Sequence, residues 1–267
     1  MSTASLLKTP PSIPDPDPGP PIHILRKIEL IYDDGEPMES DWHVKAMVLL
    51  VSSIDQHFRE RDDYYVGGNM FIYFSETQAR NRDFRGPDFY FVSDTTRLPM
   101  RKYWCVWEEN GRTPDVVIEL CSPSTIKEDY GRKKKVYESI LHVVDYFCYD
   151  PDSGKLDGWR RSGKKFVALK ANAQGRLWSD ELGLWVGTWT GRIGRQEATW
   201  LRFFDEDGNL VLSENEAAAR NAEEQRRNAD EQRRRADAAE AELAQLRERV
   251  ASAEKKPNGT NGKGKKK

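Results

Sequence analysis

Three side chains far apart in the sequence have the chemistry to act together: the carboxylates of Asp88 and Glu119 and the ammonium of Lys133. A phosphodiester resists hydrolysis because it is anionic and its leaving group is poor, so a site that cleaves one must supply a cation and a nucleophile at neutral pH. Two carboxylates hold a hard divalent ion such as Mg²⁺ (or Mn²⁺) through oxygen ligands and leave several waters in place. An ion so held polarises the phosphate and acidifies a water. A lysine beside the carboxylates orients that water or offsets charge in the transition state. The carboxylates keep it protonated, which makes it a positioner more than a base. Asp88 and Glu119 are therefore the expected metal ligands, and Asp88, Glu119 and Lys133 the expected catalytic set.

For these groups to meet, the chain between them must fold in a particular way. Val116-Val117-Ile118 is β-branched and continuous in apolar character, as in a strand buried on both faces. Glu119 follows directly, and a carboxylate there is costly unless a cation or a set of donors neutralises it. Ser122-Pro123 ends the strand. Thr125 stands three residues ahead of Glu128, the spacing of a capping box, which predicts a helix start. At about 100° per residue, Ile126, Tyr130, Lys133, Tyr137, Ile140 and Leu141 share one stripe, with Lys134 at its edge and Lys135 pointing away. Lys133 thus sits in an apolar row. Either it snorkels out along its stem or it meets a buried anion, and Glu119 is the anion on offer.

The remaining chain supplies the frame. Seven prolines between Pro10 and Pro21 make an extended, unpacked leader. Ile24 to Tyr32 reads as an edge strand. Ser40 or Asp41 can cap a helix whose apolar residues Val44, Met47, Val48, Val51, Ile54 and Phe58 recur at three-and-four spacing, with Glu39 and His43 at its entrance. Tyr64 to Ser75 reads as a strand with a Gly67-Gly68 bulge, Pro87-Asp88 opens an aromatic strand, and Lys102 to Trp107 reads as another. Val143 to Tyr149 follows the predicted helix, so strand, helix, strand implies a right-handed crossover and a parallel pair. From Gly154 to Leu212, aromatic runs between Gly, Asp and Asn turns predict antiparallel hairpins, and tryptophans such as Trp159, Trp178 and Trp200 read as a core face more readily than as a base-stacking platform.

Ala222, Ala229, Ala236, Leu243 and Val250 are spaced by seven, and Ala218, Gln225, Gln232, Ala239, Leu246 and Ala253 fill the companion positions, which predicts a heptad helix. Alanine and glutamine make a weak seam until Leu243, so a charged single helix is the alternative to a coiled coil. The Lys-rich end from Lys255 to Lys267 reads as a flexible tail.

Composition limits the partners. The chain has 267 residues and a formal net charge of −2. Residues 23 to 212 hold 27 Lys and Arg against 31 Asp and Glu, a net of −4, so no basic excess advertises tight non-specific nucleic-acid binding. Cys105, Cys121 and Cys148 are odd in number and lie in apolar runs, which suits reduced core thiols and a cytoplasmic setting. No apolar run approaches the ~20 residues of a membrane span, so no membrane partner is expected.

Pro87-Asp88, the string Val-Val-Ile-Glu-Leu-Cys-Ser-Pro-Ser-Thr ending at Thr125, Asp129-x-Gly-x-Lys133-x-x-x-Tyr137 and Tyr146-Phe-x-Tyr-Asp150-Pro151 resemble the Uma-type restriction endonuclease family abundant in cyanobacteria. That family is a branch of the PD-(D/E)XK nuclease superfamily, and the resemblance covers roughly Ile24 to Leu212. It implies an α/β fold with the restriction-endonuclease-like αβββαβ core, here with additional antiparallel hairpins and a C-terminal heptad helix. It also implies DNA as substrate, Asp88 as the aspartate of the first motif and Glu119 as the acid of the second. The superfamily often adds a glutamate from the first helix, for which Glu39 is placed. One departure stands out. The superfamily pattern has lysine two residues after the glutamate, where this chain has Cys121; the resemblance moves the ammonium to Lys133. Asp115 also follows a proline, but it stands four residues from Glu119, about 13 Å along a strand, too far to share one ion.

The expected organisation is a leader over 1–22, a nuclease-like domain over 23–212, a coiled-coil segment over 213–254 through which the chain could form a homo-oligomer, and a tail over 255–267. A Mg²⁺-dependent DNA endonuclease is the first functional reading. A non-catalytic binding or scaffold protein that keeps the nuclease fold is the second, and a purely structural Glu119–Lys133 pair is the third.

Overall fold

The computed structural model describes residues 30–31, 40–81 and 86–254, with side chains as far as Ala251. The leader, the Lys-rich tail, Glu39 and all but Leu30 and Ile31 of the expected first strand lie outside the described residues. The chain divides into two units, one ending at Glu214 and one beginning at Asn215.

In the first unit, helix α1 (Asp41–His57) starts where Ser40 accepts the amide of His43 at 3.1 Å, and that bond satisfies one of the donors a helix start leaves open. Its three-and-four spacing places Ala46, Leu49, Leu50 and Ile54 on the buried side. Strand β1 (Tyr64–Gly67), the short β2 (Ile72–Tyr73) and helix α2 (Glu76–Arg80) follow, then β3 (Phe89–Ser93), β4 (Trp104–Cys105) and β5 (Val116–Leu120). A helical crossover made of α3 (Ile126–Glu128), a π turn over Asp129–Lys133 and α4 (Lys134–Ser139) leads to β6 (Asp145–Asp150). Strands β7 (Lys155–Ser162) and β8 (Lys165–Ala168) complete a six-stranded sheet in the order β1-β3-β5-β6-β7-β8. The β5–β6 pair is parallel and its neighbours are antiparallel. This is a mixed α/β fold whose element order contains the expected αβββαβ core.

Side chains alternate between the two faces of the sheet, and each face meets its own layer. Phe89, Phe91, Val116, Ile118, Leu120, Phe147 and Tyr149 pack on α1 and on a second sheet made of β9 (Leu177–Ser179), β10 (Leu184–Ile193) and β11 (Gln196–Phe204). Tyr90, Val92, Val117, Cys121, Tyr146 and Cys148 pack on the other side with Tyr137 and Leu141 of the crossover. Each fully buried side chain of this size contributes about 2–3 kcal/mol. Trp200, wholly buried, stacks on Trp42 at 5.9 Å, and Trp178 meets Trp185 edge-on at 5.1 Å. Trp200 and Trp104 are wholly buried and Trp42, Trp159 and Trp189 pack against the core, whereas Trp178 and Trp185 are half-buried and Trp107 is exposed. Because Val117 and Cys121 face the crossover, Glu119 between them faces it too.

Three local expectations differ from what forms. Tyr64–Ser75 is two strands in different sheets, divided after Gly67. A Cβ on Gly67 would stand 2.8 Å from the Tyr90 ring, and one on Gly68 would stand 2.7 Å from the carbonyl oxygen of Asp88, so the glycines serve close approach and not a bulge. Lys102–Trp107 contains only the two-residue β4, paired in parallel with β2 outside the main sheet. The capping box at Thr125 does not form. Thr125 Oγ1 accepts the amide of Ser122 at 3.1 Å, and no side chain caps the helix start.

The second unit contains most of helix α5 (Glu214–Glu254), 41 residues long. It covers the stretch in which the heptads were read.

Candidate active site

Glu119 is 1% exposed at the end of β5, and both of its oxygens are held. Lys133 donates from Nζ to Oε2 at 3.1 Å, and the Tyr137 hydroxyl donates to Oε1 at 2.8 Å. The lysine therefore meets the buried anion and does not snorkel; its side chain is 22% exposed. Its ammonium also lies 2.8 Å from Asp129 Oδ1, a second ion pair on the same lysine.

Asp88 stands one residue before β3. Its Oδ2 accepts the backbone amide of Leu120 at 2.7 Å, and its Oδ1 lies 2.6 Å from His43 Nε2. The first bond continues the β3–β5 ladder past its last pair, Phe89–Ile118, and so brings the carboxylate to Glu119. Ser40 fixes the start of α1, which delivers His43 from the opposite layer. Asp88, Glu119 and Lys133 are brought together, and His43, one of two residues read at the helix entrance, joins them. Asp115 lies elsewhere, at the start of β5, where its Oδ2 accepts the amide and hydroxyl of Ser93 at 2.7 and 2.8 Å.

Asp129 and Tyr137 belong to the quoted family string, but sequence reasoning assigns neither of them a role at the site. Four residues of a regular α-helix turn 400°, so every fourth residue drifts by 40°. The π turn over Asp129–Lys133 underwinds the chain, so that Asp129, Lys133 and Tyr137, four apart, align toward Glu119. Asp129 and Tyr137 are both buried, at 1% and 0% exposure. The carbonyl of Asp129 is fixed in turn by the Tyr146 hydroxyl at 2.7 Å.

The electrostatics follow from this crowding. Burial pushes the Glu119 carboxyl up from 4.5 to about 8, against the pull of Lys133 and with further upward pressure from Asp88 and Asp129. Burial alone would lower the Lys133 ammonium, but Glu119 and Asp129 outweigh it and hold the proton on. Cys121, two residues past Glu119, is no substitute for a cation. Its thiol is raised by hydrogen bonding with Cys148 and by burial, and it stays neutral.

The donor set suits a hard divalent cation. Among the described residues no group of three or more His, Cys, Asp or Glu side chains is arranged to hold a metal ion, so protein ligation would come from Asp88 and Glu119 with water completing the shell, as Mg²⁺ prefers. Each carboxylate oxygen can accept two bonds, so the present partners do not exhaust them. Above about pH 8, where Glu119 is ionised, its carboxylate together with Asp88 and Asp129 outnumbers the one lysine ammonium.

The family described as "Uma2: Putative restriction endonuclease" matches residues 23–192. A similar solved structure is that of a "putative nuclease belonging to DUF820" from Anabaena variabilis, 16% identical, covering 57% of this chain and 81% of that one with a TM-score of 0.37. Comparison with curated proteins returns no match.

Proposed function

This chain belongs to the Uma2 family of putative restriction endonucleases, and from that premise we propose that it is a nuclease that hydrolyses DNA phosphodiester bonds with Mg²⁺ or Mn²⁺. The observation that carries the reading is the convergence of Asp88, Glu119 and Lys133 from a strand entrance, a buried strand and the crossover helix. The bound ion would supply Lewis acidity toward the phosphate and a water of lowered pKa. Asp88 and Glu119 would hold it. Leu120 and His43 fix the orientation of Asp88, and Tyr137 fixes that of Glu119, so the ligands are set in place before substrate arrives. Lys133, kept protonated by its two carboxylates, would offset charge on the phosphate oxygens. The direct test is nicking of supercoiled plasmid by the purified protein with Mg²⁺ or Mn²⁺, and by its Asp88→Ala variant, in which nicking should vanish.

A second reading, a scaffold that keeps the nuclease fold, is favoured by Cys121 in the usual lysine position and by the acidic balance of residues 23–212. Calorimetry separates the two. The nuclease reading expects Mg²⁺ or Mn²⁺ to bind with about one ion per chain and to raise the melting temperature as mass action requires; no heat and no shift would favour the scaffold.

Helix α5 serves association in this proposal. Leu243, Leu246 and Val250 are each about half exposed on a helix otherwise made of charged residues, alanine and uncharged polar residues, at the three-and-four spacing of a seam. Sedimentation of the full chain is expected to give a larger oligomer than a chain ending at Ser213, and monomers in both cases would refute this. No helix among the described residues is long and apolar enough to cross a membrane. All three cysteines are free and buried, which supports a reducing, cytoplasmic location.

A further inference from the structure

Lys133 is shared. Its ammonium is nearer to Asp129 Oδ1, at 2.8 Å, than to Glu119 Oε2, at 3.1 Å, and both carboxylates are 1% exposed. An ammonium lying wholly on Glu119 would oppose a divalent cation at the same carboxylate, because the two positive charges would repel at short range and compete for the same oxygens. A second anion set four residues before the lysine, on the same line of the helix, gives the ammonium another place to rest. That line exists because of the π turn over Asp129–Lys133; regular α winding would carry Asp129 some 80° away from Tyr137 over the same eight residues. The hydrogen bond from Tyr146 to the Asp129 carbonyl keeps the turn in position.

We propose that Asp129 is a positioning residue that draws Lys133 off Glu119 when the divalent cation of the proposed nuclease arrives, so that Glu119 ligates the ion while the ammonium stays beside it. The inference rests on the metal-dependent reading above and assigns to Asp129 a role that is neither ligation nor contact with substrate. It explains why three carboxylates surround one lysine, and why the crossover abandons α geometry at this point and not elsewhere.

Binding of Mn²⁺ measured by calorimetry, without substrate, tests it. Asp129→Asn keeps the shape of the side chain, removes the competing anion and returns the ammonium to Glu119; Mn²⁺ affinity should fall about 10-fold, as for loss of a group supporting a metal ligand. Lys133→Met removes the competitor and should raise affinity above that of the native protein. In the double variant the effect of Asp129→Asn should shrink to a few-fold, since only its distant charge is then lost; this non-additivity is what a residue acting through Lys133 must show. An Asp129→Asn effect of equal size with and without Lys133 would make Asp129 a ligand or a general anionic charge, and would overturn the proposal. So would unchanged affinity in Asp129→Asn, or an affinity that falls in Lys133→Met, a variant that can be read even if Asp129→Asn does not fold. If the native protein binds no Mn²⁺ at all, the nuclease reading fails first and this inference with it.

Discussion

If the proposed nuclease reading holds, Glu119→Gln is expected to lower metal-dependent nicking of DNA by about 10³-fold, the scale for loss of one preorganised charged or polar group at a reacting phosphate. The amide fills the same space and still accepts the hydroxyl of Tyr137 on one side, so the fold survives while the anionic ligand is lost. Asp88→Asn should do the same, since its other contacts, to Leu120 and His43, position an oxygen that the metal needs charged. Asp115→Asn is the contrasting case. Asp115 is bound to Ser93 at the far end of β5, and its replacement should leave activity per folded molecule unchanged. Plasmid nicking by Glu119→Gln and Asp88→Asn at the native rate would end the nuclease reading. A loss shared equally by Asp115→Asn would point to general destabilisation instead.

How much of this was written in the sequence depends on which kind of geometry carried each residue. Glu119 was legible because period-two alternation is rigid. Val117, Glu119 and Cys121 must share a face, and only the apolar burial of that face had to be inferred. Lys133 was legible because its position in an apolar row holds whether the winding is α or π. Asp129 was not. A stripe computed at 100° per residue leaves it at the edge opposite Lys134, and the π turn that brings it into line leaves no mark in composition beyond Gly131, which has open space around it and a helical backbone. The Thr125–Glu128 pattern matched a capping box and formed none, because Thr125 bonded back to Ser122 in a turn ahead of the helix, the local competition typical of hydroxyl side chains. The division of Tyr64–Ser75 between two sheets was likewise hidden. The glycines were visible, but the ring of Tyr90 and the carbonyl of Asp88 that they admit are tertiary facts. His43 was visible as an entrance residue, and only the meeting of α1 with the start of β3 gives it Asp88 as a partner.

Above pH 8, where Glu119 is ionised in the native protein, Lys133→Ala should cost about 3–5 kcal/mol of stability, the penalty for leaving a buried charge without its partner, or a melting temperature lower by about 10 °C for a domain of this size. The loss should depend on pH in a definite sense. Burial, then Asp88 and Asp129, raise the Glu119 carboxyl from 4.5 to about 8 while Lys133 opposes the rise. Between those values the folded protein keeps a proton that the unfolded chain has released, so the folded state binds more protons and stability falls as pH rises through the window. Without the ammonium the opposing influence is gone and the window extends upward. The variant should therefore stand closest to the native protein near pH 5, where Glu119 is neutral in both folded states, and furthest from it above pH 8. The raised Lys133 ammonium contributes in the same direction, since its stabilisation is complete below its ordinary value of 10.5 and is lost only above it. Glu119→Gln combined with Lys133→Met removes both charges and should recover much of the stability but none of the nicking activity, which distinguishes a working site from a structural ion pair. Thermal unfolding of the metal-free proteins from pH 5 to 9 checks this. A Lys133→Ala deficit that is constant across that range, or absent, would mean that the ammonium does not neutralise the buried carboxylate of Glu119.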